Sequence, residues 1–275
     1  MIRASIFFLF SACRNLIRLF IALSFCFFSF MSLAEDDTRL NFDPSVNEFF
    51  LITVDVGSQV WDNFGHSALR IVNKKTGSDL IYNWGVFDAS NGWIRLGLDF
   101  FLGEISYRLV TQETFRELKL YEGQERSVWQ EKINLNNRQK QRLHNVIEEN
   151  LKPENRSYKY HYFFNNCTTV IRDYLDEIFD GGLQSEISGD VNRTFRNEIR
   201  EHYASRQLIS LALDILMNKD VDRLMTRWES AFLPGELRKL LSGVESAVGV
   251  NVTRLPLLGE SQSLLSFPSP TKQAN

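Results

Sequence analysis

Tyr160-His161-Tyr162-Phe163-Phe164-Asn165-Asn166-Cys167-Thr168-Thr169, with Val170 to Phe179 after it, is the stretch on which the reading of this chain turns. Its first half, Tyr158 to Phe164, is aromatic and β-prone. Asn165-Asn166 then offers two side chains of the type that cap helices. Beyond them Ile171, Tyr174, Leu175, Ile178 and Phe179 recur at helical spacing, so an amphipathic helix is expected from Cys167 to about Phe179, ended by Gly181-Gly182. A cysteine is thereby placed in the first turn of a helix.

Upstream, the pattern is that of strands. Phe49 to Val56 is β-rich and stops at Gly57; Phe64 to Val72 reads as a second strand, Asn73 to Asp79 as a turn, and Leu80 to Phe87 as the returning strand. Ile105 to Thr111 is a further strand. Asn136 is placed to cap a helix running to Leu151, with Leu143, Val146, Ile147 and Leu151 on one face. After residue 194 the pattern is helical: Leu208, Leu211, Ile215 and Leu216 form one apolar face, and Leu237, Leu240, Leu241 and Val244 another. The expectation is one α+β domain over residues 48–260 with a C-terminal helical extension. Residues 35–47 read as a leader and 261–275 as a disordered tail.

The chain has 275 residues, 44% hydrophobic and 24% charged, with 31 basic against 34 acidic side chains and a net charge of -3. That is a globular composition, and its mild acidity argues against a nucleic-acid partner. Residues 1–34 differ from the rest. Arg3, Arg14 and Arg18 precede or enter an apolar run from Leu19 to Met31, followed by Ser32-Leu33-Ala34. This is the pattern of a secretory signal peptide cut before Glu35, and a periplasmic location is expected; an uncleaved N-terminal anchor is the alternative. Without those three arginines the balance is 28 basic to 34 acidic, a charge of -6. No later apolar stretch is long enough to cross a bilayer, so contact with a membrane is expected to be peripheral.

Cys13 and Cys26 fall within the signal segment, leaving Cys167 as the sole cysteine of the exported chain. No internal disulfide can form, which directs attention to the thiol itself. A helix N-terminus stabilises a thiolate through unpaired N–H groups and the helix dipole. A nucleophilic thiolate also requires a proton shuttle, and His66, in Phe64-Gly65-His66-Ser67, is the strand-borne imidazole available. The two residues lie 101 positions apart, and spacing does not bring them together.

Phe64 to Arg70 and Tyr160 to Thr169 resemble the paired signature motifs of a bacterial family, that of the Lnb N-terminal periplasmic domain. Arg172-Asp173-Tyr174-Leu175 and Phe232-Leu233-Pro234 extend the resemblance, which covers roughly residues 48 to 241. The family is similar to thiol enzymes of the permuted papain-like, NlpC/P60-related kind, in which a helix presents cysteine and a sheet presents histidine. The resemblance implies Cys167 as nucleophile and His66 as general base and acid, in two-step acyl transfer through a thioester. A third residue to orient the imidazole is expected. Asn83 is the candidate, with Tyr82, Asp62 and His161 in competition. Asn165, Asn166 and Tyr162 are the expected substrate-binding residues, an Asn amide serving beside the Cys167 N–H as oxyanion donor.

The lipoprotein acyltransferase that names the family carries membrane-spanning helices after this domain, and none is expected here. The implied substrate is therefore left as a lipid, lipoprotein or peptidoglycan-type molecule. Trp93, Leu96 and Phe100-Phe101-Leu102 are expected to be ordinary core, with an acyl-chain groove or a membrane-touching patch as the alternative. No cofactor and no metal is implied, since His66, His161 and Cys167 lack paired ligand spacing. The competing expectation is a non-catalytic envelope binding or scaffolding protein that retains the fold.

Overall fold

Asn47–Val54 (β1) carries Phe49, Leu51, Ile52 and Val54, all essentially buried. Its C-terminal half is covered on both faces, as a central strand requires. The computed structural model describes residues 42–87, 105–217, 219–248 and 253–268. Within them β1 pairs with His66–Asn73 (β2), so that Val54 faces His66 and Thr53 faces Ser67. Asp79–Phe87 (β3), Ser106–Glu113 (β4), Val128–Ile133 (β5), Ser157–Lys159 (β6) and, far along the chain, Leu258–Leu265 (which will be β11) complete a seven-stranded sheet. Its order is β11-β5-β1-β2-β3-β4-β6 and every pairing is antiparallel.

One face of the sheet is covered by Thr114–Gly123 (α1), whose Tyr121 and Leu118 meet Ile52, Val54, Ala68 and Ile81. Elsewhere Asn137–Leu151 (α2) packs against Cys167–Ile178 (α3), which lies on β2 and β3. The stripe expected of α3 holds in part: Ile171, Leu175 and Ile178 are buried, while Tyr174 is half-buried against Trp84. Asn136 caps α2 in a reciprocal capping box with Gln139. Gly181, at φ +78°, returns its N–H to the Asp176 carbonyl and stops α3.

The remaining elements are Gly182–Glu186 (α4), Asp190–Thr194 (β7), Phe195–His202 (α5), Gln207–Leu216 (α6), Leu224–Thr226 (β8), Arg227–Ser230 (α7), Pro234–Ser242 (α8), Glu245–Val248 (β9) and Thr253–Pro256 (β10). Among the described residues the fold is thus α+β, with a large antiparallel sheet and eight α-helices. The helical region expected after residue 194 is built around an aromatic cluster in which Phe163 packs with Phe195, Ile199, Leu213, Met225 and Phe232.

Two expectations are corrected. Leu208, Leu211, Ile215 and Leu216 do share a face of α6, but it points outward, Leu208 being 84% exposed; Leu213 is the residue that buries, with Ile209 and Met217 beside it. The tail expected to be disordered from residue 261 is instead ordered through Pro268. Ser261, Gln262, Ser263 and Leu265 pair with β5, and Ser127 Oγ both donates to the Phe267 carbonyl and accepts its N–H. Polar composition misled here because this is an edge strand with one face in water. The signal-peptide reading of residues 1–34 and the aromatic patch from Trp93 to Leu102 lie outside the described residues. No described helix is long and apolar enough to cross a membrane.

Truncation after Glu260 tests the strand. A disordered tail would be lost without effect. Removing a paired strand whose Leu264 and Leu265 pack on the core is expected to cost about 1–3 kcal/mol, read from the denaturant midpoint.

Candidate active site

Cys167 is the first residue of α3, and Asn166 determines where that helix begins. Asn166 is extended, at φ -123° and ψ 179°, and its Oδ1 accepts from the N–H groups of Thr168 (2.9 Å) and Thr169 (2.8 Å). Its own N–H donates to Thr169 Oγ1 at 2.8 Å, and its Nδ2 donates to the carbonyls of Tyr162 (2.9 Å) and Phe232 (3.1 Å). The cap satisfies the second and third N–H groups of the helix. It leaves the Cys167 N–H as the first-turn donor without a side-chain acceptor among the described residues.

His66 opens β2. Gly65 before it sits at φ +78°, and a Cβ there would stand 2.7 Å from the Val54 carbonyl oxygen. Only glycine lets the chain turn this closely against β1. On the other side of the ring, β3 carries a bulge between Asn83 and Val86 in its pairing with β4. The bulge turns Asn83 and Gly85 toward His66, the re-aiming that bulges beside active sites provide. His66 Nε2 lies 2.9 Å from Asn83 Oδ1, which also accepts the Gly85 N–H at 2.9 Å. Asn83 Nδ2 donates to Glu117 Oε1 at 2.9 Å. Because Asn83 presents its oxygen, His66 Nε2 is the nitrogen that carries a proton. Nδ1 is left as the ring nitrogen available to Cys167, whose thiol is electrostatically coupled to the imidazole.

Burial pushes the Cys167 thiol up, but the charge and hydrogen bond of His66, the Ser67 N–H and the Thr168 hydroxyl together bring it down to about 7. Burial likewise pushes His66 down, and the facing thiolate outweighs it so that the imidazole titrates above its ordinary range. Both directions favour a thiolate–imidazolium pair. The thiol is half-buried and opens on a cavity of about 510 Å³ bordered by His66, Asn83, Trp61, Tyr107, Tyr160 and Phe232. This is the size of a small-molecule site.

The structure thus brings Cys167, His66 and Asn83 together. Of the residues competing with Asn83, Asp62 is paired with Arg126 at 3.1 Å, and His161 Nδ1 accepts from the N–H of Phe163 at 3.2 Å. Tyr82 is buried, which lifts its hydroxyl to about 12. The expected substrate-binding residues fare differently. Asn166 borders the cavity, but its amide is wholly engaged in the cap and cannot serve as an oxyanion donor. Asn165 donates to the Lys159 carbonyl at 2.8 Å, and Tyr162 packs on the aromatic cluster; neither borders the cavity. Residues that sequence reasoning missed are Gly85, Tyr107, Glu117 and Arg126, which border it from elements without a local motif. Among the described residues no three His, Cys, Asp or Glu side chains converge as metal ligands would.

No curated protein and no solved structure matches the chain. Residues 35–198 match the family described as the Lnb N-terminal periplasmic domain. That stretch holds Cys167, His66 and Asn83, and covers more than half of the sequence. This chain belongs to the Lnb N-terminal periplasmic domain family.

Proposed function

We propose that this protein is an exported, cysteine-dependent acyl-transfer enzyme, an acyltransferase or an amidase- or lipase-type hydrolase. The observation that carries the reading is the arrangement of three groups. A thiol stands at a helix N-terminus, an imidazole on the same cavity is electrostatically coupled to it, and an amide holds one nitrogen of that imidazole at 2.9 Å. The same arrangement, with histidine preceding cysteine along the chain, supports a permuted papain-like core. A periplasmic location follows the family's own description, and the apolar segment before Glu35 supports export.

In the first step the Cys167 thiolate attacks the carbonyl carbon of the substrate. The tetrahedral intermediate places its oxyanion toward the Cys167 N–H. His66 Nδ1–H then protonates the departing alcohol or amine, the carbon–heteroatom bond breaks, and an acyl-thioester remains. In the second step neutral Nδ1 takes a proton from the incoming amine or water. That nucleophile attacks the thioester, and the thiolate leaves with the imidazolium restored. Asn83 keeps the ring in register through both steps. A lipid, lipoprotein or peptidoglycan-type acyl donor suits the aromatic border of the cavity.

The pH dependence of Cys167 alkylation by iodoacetamide, followed by intact mass, tests the pair. The rate is expected to rise with a midpoint near 7 and to fall as pH drops below it, where the thiol reprotonates. In His66→Ala only the Ser67 N–H and the Thr168 hydroxyl still oppose burial, and the midpoint should rise toward the ordinary ~8.5, slowing alkylation at neutral pH by ~10-fold or more. An ordinary thiol profile in the unaltered protein would remove the mechanism and favour a binding role.

Gly85→Ala supplies a second test that leaves all three reactive groups in place. Its Cβ would lie 2.6 Å from His66 Cε1 and 3.2 Å from Nδ1, so the ring must move. Turnover of a thioester or ester substrate, once one is identified, is expected to fall by ~100-fold or more with the unfolding midpoint nearly unchanged. Full activity in this variant would show that the ring position is not used.

A further inference from the structure

Glu117 stands on the first turn of α1, 3% exposed, and its carboxylate has no ion-pair partner among the described residues. Arg126, which borders the same cavity, pairs through Nη1 with Asp62 and donates from Nε to the Asp55 carbonyl, while its buried Nη2 makes no hydrogen bond among the described residues. A buried carboxylate without a countercharge is costly unless hydrogen bonds hold it. What Glu117 does hold is the Nδ2 of Asn83, at 2.9 Å.

We propose that Glu117 is a positioning residue for His66, acting through Asn83: its carboxylate sets the orientation of the Asn83 amide, and the amide sets which imidazole nitrogen faces Cys167. The logic is that of donors and acceptors. A carboxylate accepts and cannot donate, so it selects the NH₂ end of the amide. The Gly85 N–H makes the complementary selection from the other side, binding the oxygen end. With the amide fixed by both, Asn83 Oδ1 can receive only a protonated Nε2, and the free electron pair of neutral His66 lies on Nδ1, toward the thiol. The proposal rests on the thiol–imidazole reading above and extends the relay to four residues: Cys167, His66, Asn83 and Glu117.

Charge acts in the same direction as geometry. The groups facing His66 are the Cys167 thiolate and Glu117, which favour the imidazolium, and Arg126, which opposes it. Asp62 offsets Arg126, and the Tyr121 hydroxyl lies against Glu117. Removing the Glu117 charge while keeping its shape therefore weakens the imidazolium and frees the amide to turn over.

The test uses the whole protein labelled with ¹⁵N-histidine, with His66 identified by its loss in His66→Ala. Long-range ¹H–¹⁵N spectra report both the titration and the tautomer of the ring. In the unaltered protein, neutral His66 is expected to carry its proton on Nε2. In Glu117→Gln its midpoint should fall by about half a unit to one unit, and the Nε2–H signature should be partly lost. Alkylation of Cys167 below pH 7 should slow by ~3-fold or more in the same variant. Glu117→Asp, which keeps the charge at a greater distance, should lie between. A purely structural role for Glu117 moves none of these readouts.

An unmoved titration and tautomer in folded Glu117→Gln overturns the proposal and leaves the thiol–imidazole pair standing. A proton on Nδ1 in the unaltered protein also overturns it, and this holds even where Glu117→Gln fails to fold. An ordinary thiol titration in the unaltered protein overturns both.

Discussion

The site depends on one side chain that does no chemistry. Every polar group of Asn166 is bound inside the fold. Its oxygen holds the first turn of α3, its Nδ2 holds the loop at Tyr162 and the turn at Phe232, and its N–H closes on Thr169. A cap of this kind contributes only ~1 kcal/mol to stability. Its weight here is geometric. The helix start, the loop before it and a turn 66 positions further on are brought to one residue, and the next residue along is Cys167. Because the cap consumes the second and third N–H groups, the N–H left over belongs to Cys167 itself.

Burial opposes the chemistry and the partners overcome it. Taken out of water, the thiol would lose its proton less readily and the imidazole would gain one less readily. Each reversal comes first from the other group, with the Ser67 N–H and the Thr168 hydroxyl adding to it at the thiol and Glu117 at the imidazole. The surrounding cavity strengthens this coupling. Aromatic side chains such as Tyr107 and Tyr160, stacked with centroids 4.1 Å apart, border it and place low-dielectric surface beside the pair. Half-burial of the sulfur keeps it reachable by a carbonyl.

Local signals carried the sequence reading as far as they reached. Asn-Asn before a helical stripe located Cys167 at its helix start, and strand alternation located His66 and Asn83 on neighbouring strands. The α+β class followed from the same patterns. What sequence could not supply was the meeting of elements. The bulge that aims Asn83 is marked only by Gly85, and a glycine inside a strand fits a close approach of another segment as well as a bulge. Glu117 reads as an ordinary first-turn acid on a helix, and only the packing of α1 under β3 buries it. Asn166 misled in the opposite sense: its identity fits either a cap or an oxyanion donor, and only the full set of its bonds excludes the second. Strand β11 was missed because Gly259-Glu260-Ser261-Gln262-Ser263 is polar, as an exposed edge strand is free to be.

The family match ends at residue 198, but the working unit does not. Phe232 accepts the Asn166 bond, borders the cavity with Pro234, and packs edge-on against Phe163, with ring centroids 5.1 Å apart. Arg172 on α3 donates to the Trp228 carbonyl and lies over the Trp228 ring. The helix that presents the thiol is therefore braced from residues 228–234. The strand that closes the sheet beyond β5 comes later still. A chain ending at 198 would keep Cys167, His66 and Asn83 in sequence, yet it would leave Asn166 Nδ2 with one bond in place of two, the aromatic cluster open and β5 as a bare edge. In this protein the C-terminal 70 or so residues are what hold the thiol in place against the sheet that carries its histidine.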